Sequence, residues 1–391
     1  MIVENIVRTF HPVGQGAFYS ERFFVKGQPK AQFNVVYDCG TGYGYVTKSQ
    51  QVVSQSFTKD DVIDHLFLSH LDYDHISLVK YLMQNVRRVH NIVMPFMYDD
   101  DIIFMITMMK ISNHTNTASF LQGLLDHLHG ENSEDDFNLL QVVDSDYIYN
   151  EDYHRGNNSI WKNGATKTTD IDPDWILIPY NTRQTIGKDI FINNLDSLLR
   201  DALFVEELNR VGYSSINSGE KLYGELKNKT FASTILNNSV LKDGIKNAYN
   251  KVEGGINDNS LLLYSGPASL DHGYRYVRCA WNNIFRFYRL DVGCLYTGDN
   301  DCNLSNWKNS FNSIWDNIGT IQLPHHGSIK SFNFLNNPID KCYIFPVSCG
   351  SVNRYGHPSD KVLAYLLANN CYTYIVTELV NTAYRQVIRR Q

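Results

Sequence analysis

VIDHLFLS (Val62–Ser69) is a short apolar run that leads directly into HLDYDH (His70–His75), after which Ile76, Leu78, Val79 and Leu82 recur at helical spacing. The pattern predicts a buried strand, a polar loop and a helix. The loop packs His70, Asp72, Asp74 and His75 into six consecutive positions, where the chain leaves a strand and must turn. Carboxylates are expensive to bury unpaired. A polar surface loop takes one or two such residues easily and rarely all four, so the cluster points to a bound cation. Alternate residues of a tight loop can face one point, which would let His70 and Asp72 hold one ion while Asp74 and His75 reach a neighbouring one.

Upstream, apolar and polar residues alternate around Val13-Gly14-Gln15-Gly16, and a second run, Phe33 to Asp38, ends at Cys39-Gly40-Thr41-Gly42. These predict a hairpin and then a buried strand. Downstream, Ile102 to Met109 and Phe120 to Leu128 have helical periodicity, and Glu134-Asp135-Asp136 reads as a solvated connection. A strand is expected at Trp175–Tyr180, followed by a long helical tract from Leu195 to Lys251. The tract's lysines (Lys221, Lys227, Lys229, Lys242, Lys246 and Lys251) read as a solvated face, with a substrate-guiding surface as the alternative. Strands are expected again at Ser260–Ser265, Phe285–Thr297, Ile318–Leu323, Tyr343–Ser348 and Tyr372–Thr377, with a helix over Ser359–Leu367. The expected class is α/β: two sheets packed face to face under helical layers, one domain over residues 1–391, with helical insertions at about 99–174 and 195–251.

Three later loops each follow an apolar run: Thr297-Gly298-Asp299-Asn300-Asp301, Pro324-His325-His326-Gly327-Ser328 and Tyr355-Gly356-His357-Pro358. Ligands gather where strand ends converge in an α/β scaffold. Any one of these loops alone is ordinary turn chemistry. His127, His129 and His154, in or near the first insertion, read as surface histidines; His11, His65, His90, His114 and His272 read as structural or exposed.

Taken in order, Val13-Gly14-Gln15-Gly16, Tyr37-Asp38-Cys39-Gly40, Ser69 to His75, Asn257-Asp258-Asn259-Ser260-Leu261, Thr297-Gly298-Asp299, His325-His326-Gly327-Ser328 and Asn353 to Pro358 resemble the metallo-β-lactamase superfamily. Within it the chain is most similar to the metallohydrolase domain of ComEC-type DNA-uptake proteins. The resemblance spans nearly the whole chain outside the two insertions and implies an αββα sandwich with a two-metal site at one edge. It also implies that His70 and Asp72 ligate one ion, Asp74 and His75 the other, Asp299 bridges them and His325 adds a late imidazole. Asp38 would orient the ligands from behind, while His326, Ser328 and His357 would line the pocket, touch phosphate or give a proton to a leaving group. Two departures stand out. Asp72 occupies a position where many members carry histidine, and the ligand histidine usual midway along the chain has no clear counterpart. Carboxylate in place of imidazole hardens the site, which favours Mn²⁺, with Zn²⁺ next.

Composition bounds the rest. A net charge of -6 excludes nucleic-acid binding by bulk basicity, so any polyanion must be held locally. No apolar stretch approaches the roughly 20 residues of a membrane span. The opening MIVENIVRTFHPVGQG has no secretory-signal pattern, and seven cysteines without a C-x-x-C pair read as reduced thiols, so a soluble cytoplasmic protein is expected. There is no G-x-S-x-G elbow, P-loop or dinucleotide fingerprint. The expected activity is metal-dependent hydrolysis by a two-metal-activated hydroxide, with nucleic acid or another phosphodiester as substrate. Arg354 is a candidate phosphate contact and Tyr355 a candidate base-stacking surface. Three alternatives stay open: a hydrolase of the same fold acting on a cyclic nucleotide or a lactone, a non-enzymatic scaffold, which would need broken ligand positions where the matched ones are filled, and a protein-interaction module with subordinate hydrolase activity.

Overall fold

The N-terminal alternation forms β1 (Val3–Phe10) and β2 (Phe18–Val25), an antiparallel pair with Ile6 opposite Phe23, and β3 (Ala31–Cys39) continues the meander beside β2. The structure, a computed structural model, describes residues 2–42, 44–130, 137–143, 158–183, 186–252, 259–280, 291–334 and 337–390. The expected acidic connection at Glu134–Asp136, His154, Asn257-Asp258 and the first half of the Phe285–Thr297 run lie outside these residues.

Helix α1 (Val46–Ser56) leads to β4 (Val62–Phe67), and the polar loop then runs into α2 (Tyr73–Ile76) and α3 (Val79–Asn85). Next come β5 (Arg88–Pro95), α4 (Asp99–Ile111), α5 (Thr115–Leu128), β6 (Asn138–Val143), β7 (Asn158–Lys162), β8 (Lys167–Thr169) and β9 (Asp172–Arg183). The tract from α6 (Ile186–Leu198) through α7 (Ala202–Arg210), α8 (Gly219–Leu226) and α9 (Lys229–Leu236) to α10 (Ser239–Tyr249) is helical. The chain then forms β10 (Asn259–Pro267), β11 (Tyr274–Ala280), β12 (Gly293–Tyr296), α11 (Leu304–Ser310), β13 (Ile318–Ile321), β14 (Ile344–Ser348), α12 (Asp360–Ala368), β15 (Tyr372–Val376) and β16 (Tyr384–Arg390).

Among the described residues these strands make two sheets, in the order β11-β16-β1-β2-β3-β4-β5-β6-β7 and β15-β14-β13-β12-β10-β9-β8. The first insertion is therefore not helical throughout: helix stops at Leu128, and β6 and β7 extend the first sheet in parallel register while β8 pairs antiparallel with β9. The physical reason is that Val142 and Trp161 reach the core shared by the sheets, which only a paired strand at that edge allows. Strands β5 and β16, which the sequence reading passed over, are interior members of the first sheet.

Successive residues of each strand serve opposite faces. Val35, Tyr37 and Phe67 of the first sheet share one buried apolar cluster with Trp175, Leu263, Tyr296 and Ile344 of the second, so the sheets face each other across a common core. Val36, Leu66 and Ile92 point the other way into a cluster with α1 and α3 to α10, which makes the helical tract continuous with the body. Leu262, Leu295 and Phe345 face Trp307 of α11 and Leu366 of α12. No helix of the described residues is long and apolar enough to cross a membrane.

The shared core also holds charge. Arg8 and Glu21 are fully buried and paired at 2.7 Å. The guanidinium also donates to the Val292 carbonyl (2.9 Å), Gln386 Oε1 (2.9 Å) and the Ser265 carbonyl (3.2 Å). Glu21 accepts from the hydroxyls of Ser265 (2.5 Å) and Tyr296 (3.0 Å). The network joins β1, β2 and β16 of one sheet to β10 and β12 of the other. Removing one partner of such a pair strands the other charge, so Arg8→Met costs about 3–5 kcal/mol, whereas the Arg8→Met/Glu21→Leu double substitution costs less. Urea denaturation of both variants checks the order.

His11 is buried against Phe18, between the hydroxyls of Ser20 (2.7 Å) and Ser56 (3.2 Å). Burial, with Arg385 and Arg22 nearby, lowers its pKa to about 3. A lowered imidazole pKa stabilises the fold above the unfolded value, and that contribution is lost as pH falls. From pH 6.5 down to about 3 His11 therefore destabilises the fold by about 1.4 kcal/mol per pH unit. The melting temperature of His11→Gln should fall less steeply across that window than that of the parent chain.

Candidate metal centre

The polar loop lies at the C-terminal end of β4, and three other segments close around it. Asp38, in the left-handed region at φ 54, precedes the last residue of β3 and sets its carboxylate under the loop. Its Oδ1 accepts from the Ser69 amide (2.7 Å), and its Oδ2 from the Ser69 hydroxyl (2.7 Å) and His75 Nδ1 (2.8 Å). Burial raises the Asp38 carboxyl above its ordinary value, while His75 and Ser69 pull it back.

The partners fix the tautomers. Ser69 Oγ donates to Asp38 and therefore accepts from His70 Nδ1 at 2.8 Å. His75 Nδ1 donates to the Asp38 carboxylate. His326 Nδ1 donates to the Ser348 carbonyl, which can only accept, at 2.8 Å. In their neutral forms all three rings thus present a lone pair at Nε2. His70 Nε2 is buried with no hydrogen-bond partner; its nearest carboxylate oxygen, on Asp72, is 3.6 Å away, too far for a hydrogen bond. His75 Nε2 lies 3.1 Å from Asp299 Oδ1, and His326 Nε2 lies 3.2 Å from Asp74 Oδ2. A lone pair facing a carboxylate is repulsive unless a cation, proton or metal, stands between them.

The electrostatics carry the same message. Burial opposes a charged His75, yet Asp299 and Asp38 raise it well above the ordinary imidazole value. His326 is raised against burial by Asp299 and Asp74. Asp299 is drawn well below the carboxylate range, again against burial, by His75, His325 and His326. His70 is held neutral, its pKa lowered to about 3 by burial and by His75.

Ligand atoms of His70, His75 and Asp299 lie within 4.8 Å of one another, as do those of Asp74, His75 and His326. His75 belongs to both groups, so the expected division into His70 with Asp72 and Asp74 with His75 is not the grouping observed. Nor does His325 join either group. Both histidines occupy the left-handed region, at φ 48 and 52, so consecutive side chains diverge: His326 turns to Asp74, whereas His325 Nδ1 bonds Ser331 Oγ at 2.7 Å. Of the two imidazoles, His326 is the one grouped with Asp74 and His75. His357 stands outside the groups, its ring 6.0 Å from that of His325 and stacked on the exposed Tyr355 at 5.9 Å. Arg354 is exposed, and Ser328 is buried with its hydroxyl accepting from the Lys330 amide.

Two glycines allow this convergence. A Cβ on Gly40 would lie 2.3 Å from the Asp74 carbonyl oxygen, and one on Gly298 would lie 2.6 Å from Ser69 Cβ. Gly298 also adopts φ 55, which disfavours a side chain. Gln322, which the sequence reading treated only as part of a strand, accepts at Oε1 from the amides of Thr297 (2.9 Å) and Gly298 (3.1 Å) and so clamps the Asp299 turn. A polar residue between Ile321 and Leu323 is the signal that marks it. His127, expected at the surface, is buried and stacked on Phe137 at 4.6 Å, because α5 closes over β6; His129 is exposed and pairs with Asp99 at 3.0 Å.

The residues fit a divalent metal: imidazole nitrogens and carboxylates converge, no thiolate takes part, and one buried Nε2 has no other partner. A comparison with protein-family models finds none that matches the chain, and a comparison with curated proteins finds no match either. Gly40→Ala must push the Asp74 backbone away, so it should destabilise the fold by about 1–3 kcal/mol. Denaturant titration against Gly44→Ala, where a Cβ meets nothing within 4 Å but φ is 89, separates contact from backbone strain.

Proposed function

We propose that this chain is a metal-dependent phosphodiesterase acting on nucleic acid, built on the αββα sandwich of the metallo-β-lactamase type. The observation that carries the reading is the convergence of Nε2 of His70, His75 and His326 on Asp74 and Asp299. His70, Asp74, His75, Asp299 and His326 would hold two divalent ions, Mn²⁺ or Zn²⁺, with Asp72 beside His70. Bound there, the ions would supply a water of lowered pKa and stabilise charge on the phosphoryl oxygens.

The chain's own residues do the rest. Asp38 and Ser69 fix the rings of His70 and His75, and the Ser348 carbonyl fixes His326. Gln322 holds the Asp299 turn, and the close glycine contacts keep the loops in register. His325 and His357, side by side at the edge of the cluster, are suited to proton transfer to a leaving oxygen. Tyr355, stacked on His357, offers an aromatic face to an unpaired base.

Elemental analysis after purification without chelator should find Mn or Zn, and the loaded protein should hydrolyse bis(p-nitrophenyl) phosphate and single-stranded DNA. Asp299→Asn should abolish turnover, while His129→Ala should leave it unchanged. Asp38→Asn keeps the ligands but loosens their rings, so calorimetric metal affinity or activity should fall about 10–100-fold. A chain that takes up no metal, or an Asp299→Asn variant as active as its parent, would refute the reading.

A further inference from the structure

The turn between α4 and α5 meets the loop of candidate ligands. Tyr73, between Asp72 and Asp74, stacks on His114 with ring centroids 3.7 Å apart. His114 is delivered there by Asn113, which ends α4 in the left-handed conformation at φ 65. Around this turn three ammonium groups gather. Lys80, on the helix after the metal loop, donates to Ser119 Oγ of α5 at 3.0 Å. Lys242 of α10 donates to Asn113 Oδ1 at 3.4 Å. Lys246, four residues on and so on the same helix face, lies close enough to His114 to add to the burial that lowers its pKa to about 4.

These lysines differ from Lys227, at the end of α8, which pairs with Asp101 at 2.5 Å. Lys80 and Lys242 bond neutral oxygens, and none of the three forms an ion pair with a described carboxylate. The α4–α5 turn adds no acid: the first turn of α5 has none, and the last turn of α4 contributes Lys110. Positive charge thus accumulates on a chain with a net charge of -6, within two side chains of the candidate metal ligands.

We propose that Lys80, Lys242 and Lys246 form a cationic wall beside the metal loop that grips the sugar-phosphate backbone of single-stranded nucleic acid. The wall rests on the phosphodiesterase reading for its substrate class and adds where that substrate is held. It acts by local neutralisation of phosphates, which the overall charge cannot supply. Asp243, next to Lys242 in the helix, offsets part of the field.

Fluorescence anisotropy with a fluorescein-labelled oligothymidylate, in EDTA so that no cleavage occurs, tests binding across a salt series. Lys242→Gln/Lys246→Gln should weaken binding about tenfold and lower the salt slope by about 0.7 per lysine. Asp243→Asn should strengthen it. Turnover of bis(p-nitrophenyl) phosphate should not change in the double variant, while KM for oligonucleotide should rise at constant kcat. Lys221→Gln/Lys229→Gln, on exposed positions elsewhere in the tract, is the control.

Equal binding by parent and Lys242→Gln/Lys246→Gln would overturn the wall, as would an equal loss in the control pair. A parent chain that hydrolyses the small diester but does not bind oligonucleotide overturns the wall and leaves the phosphodiesterase reading intact. Lysine-dependent binding by a chain that hydrolyses no diester supports the wall and refutes the hydrolase.

Discussion

The buried carboxylate of Asp38 is the constraint on which the candidate centre depends. An unpaired carboxylate at this depth would be costly, and three donors from Ser69 and His75 offset that cost. The same three bonds assign the protons: the Ser69 hydroxyl faces Asp38, His70 donates to Ser69, and His75 donates to Asp38. One buried charge thus orients two imidazoles and leaves both Nε2 atoms aimed at the opposite sheet's loops. Its left-handed backbone is a strained conformation for a residue with a side chain, of the kind that surrounding structure must hold in place.

The opposite side of the centre comes from the second sheet and is held differently. Gln322 bonds the backbone of the Asp299 turn, and the His325 amide reaches the Gly298 carbonyl at 3.2 Å. The two loops are therefore tied to each other. The neighbouring strand β10 meets the first sheet through Leu261, whose amide donates to the Ser69 carbonyl at 2.8 Å and whose carbonyl accepts from the Tyr37 hydroxyl. Geometry at the centre is thereby tied to the packing of the two sheets, where Arg8 and Glu21 are also buried.

Much of this was legible in the residues. The strand-loop-helix of Val62 to Leu82, the N-terminal hairpin and the late strands appear where apolar periodicity puts them, because each buries one or both faces. Two strands that escaped have weaker patterns: β5 mixes Arg88, His90 and Asn91 with its apolar residues, and β16 sets Tyr384, Gln386 and Ile388 between Arg385, Val387 and Arg389. Gln386 is buried as a partner of Arg8, a reason no local pattern reveals. In the centre, the cluster from His70 to His75 stands out by residue type and spacing, whereas Asp38 and Asp299 acquire a role only through the family resemblance. The choice between His325 and His326 was not legible, since it turns on backbone torsions in the left-handed region. Contacts such as Tyr73 with His114 join residues about forty positions apart and have no local signature.

Strand β16 lies between β1 and β11, pairing with both. Strand β1 therefore keeps one hydrogen-bonding edge open until a partner from more than 370 positions later arrives, with Ile6 waiting for Ile388. Such distant pairing is slow to form and leaves an adhesive border exposed meanwhile. The nascent polypeptide is thus open to misassociation during elongation, and its first sheet closes only once residues 384–390 have been made.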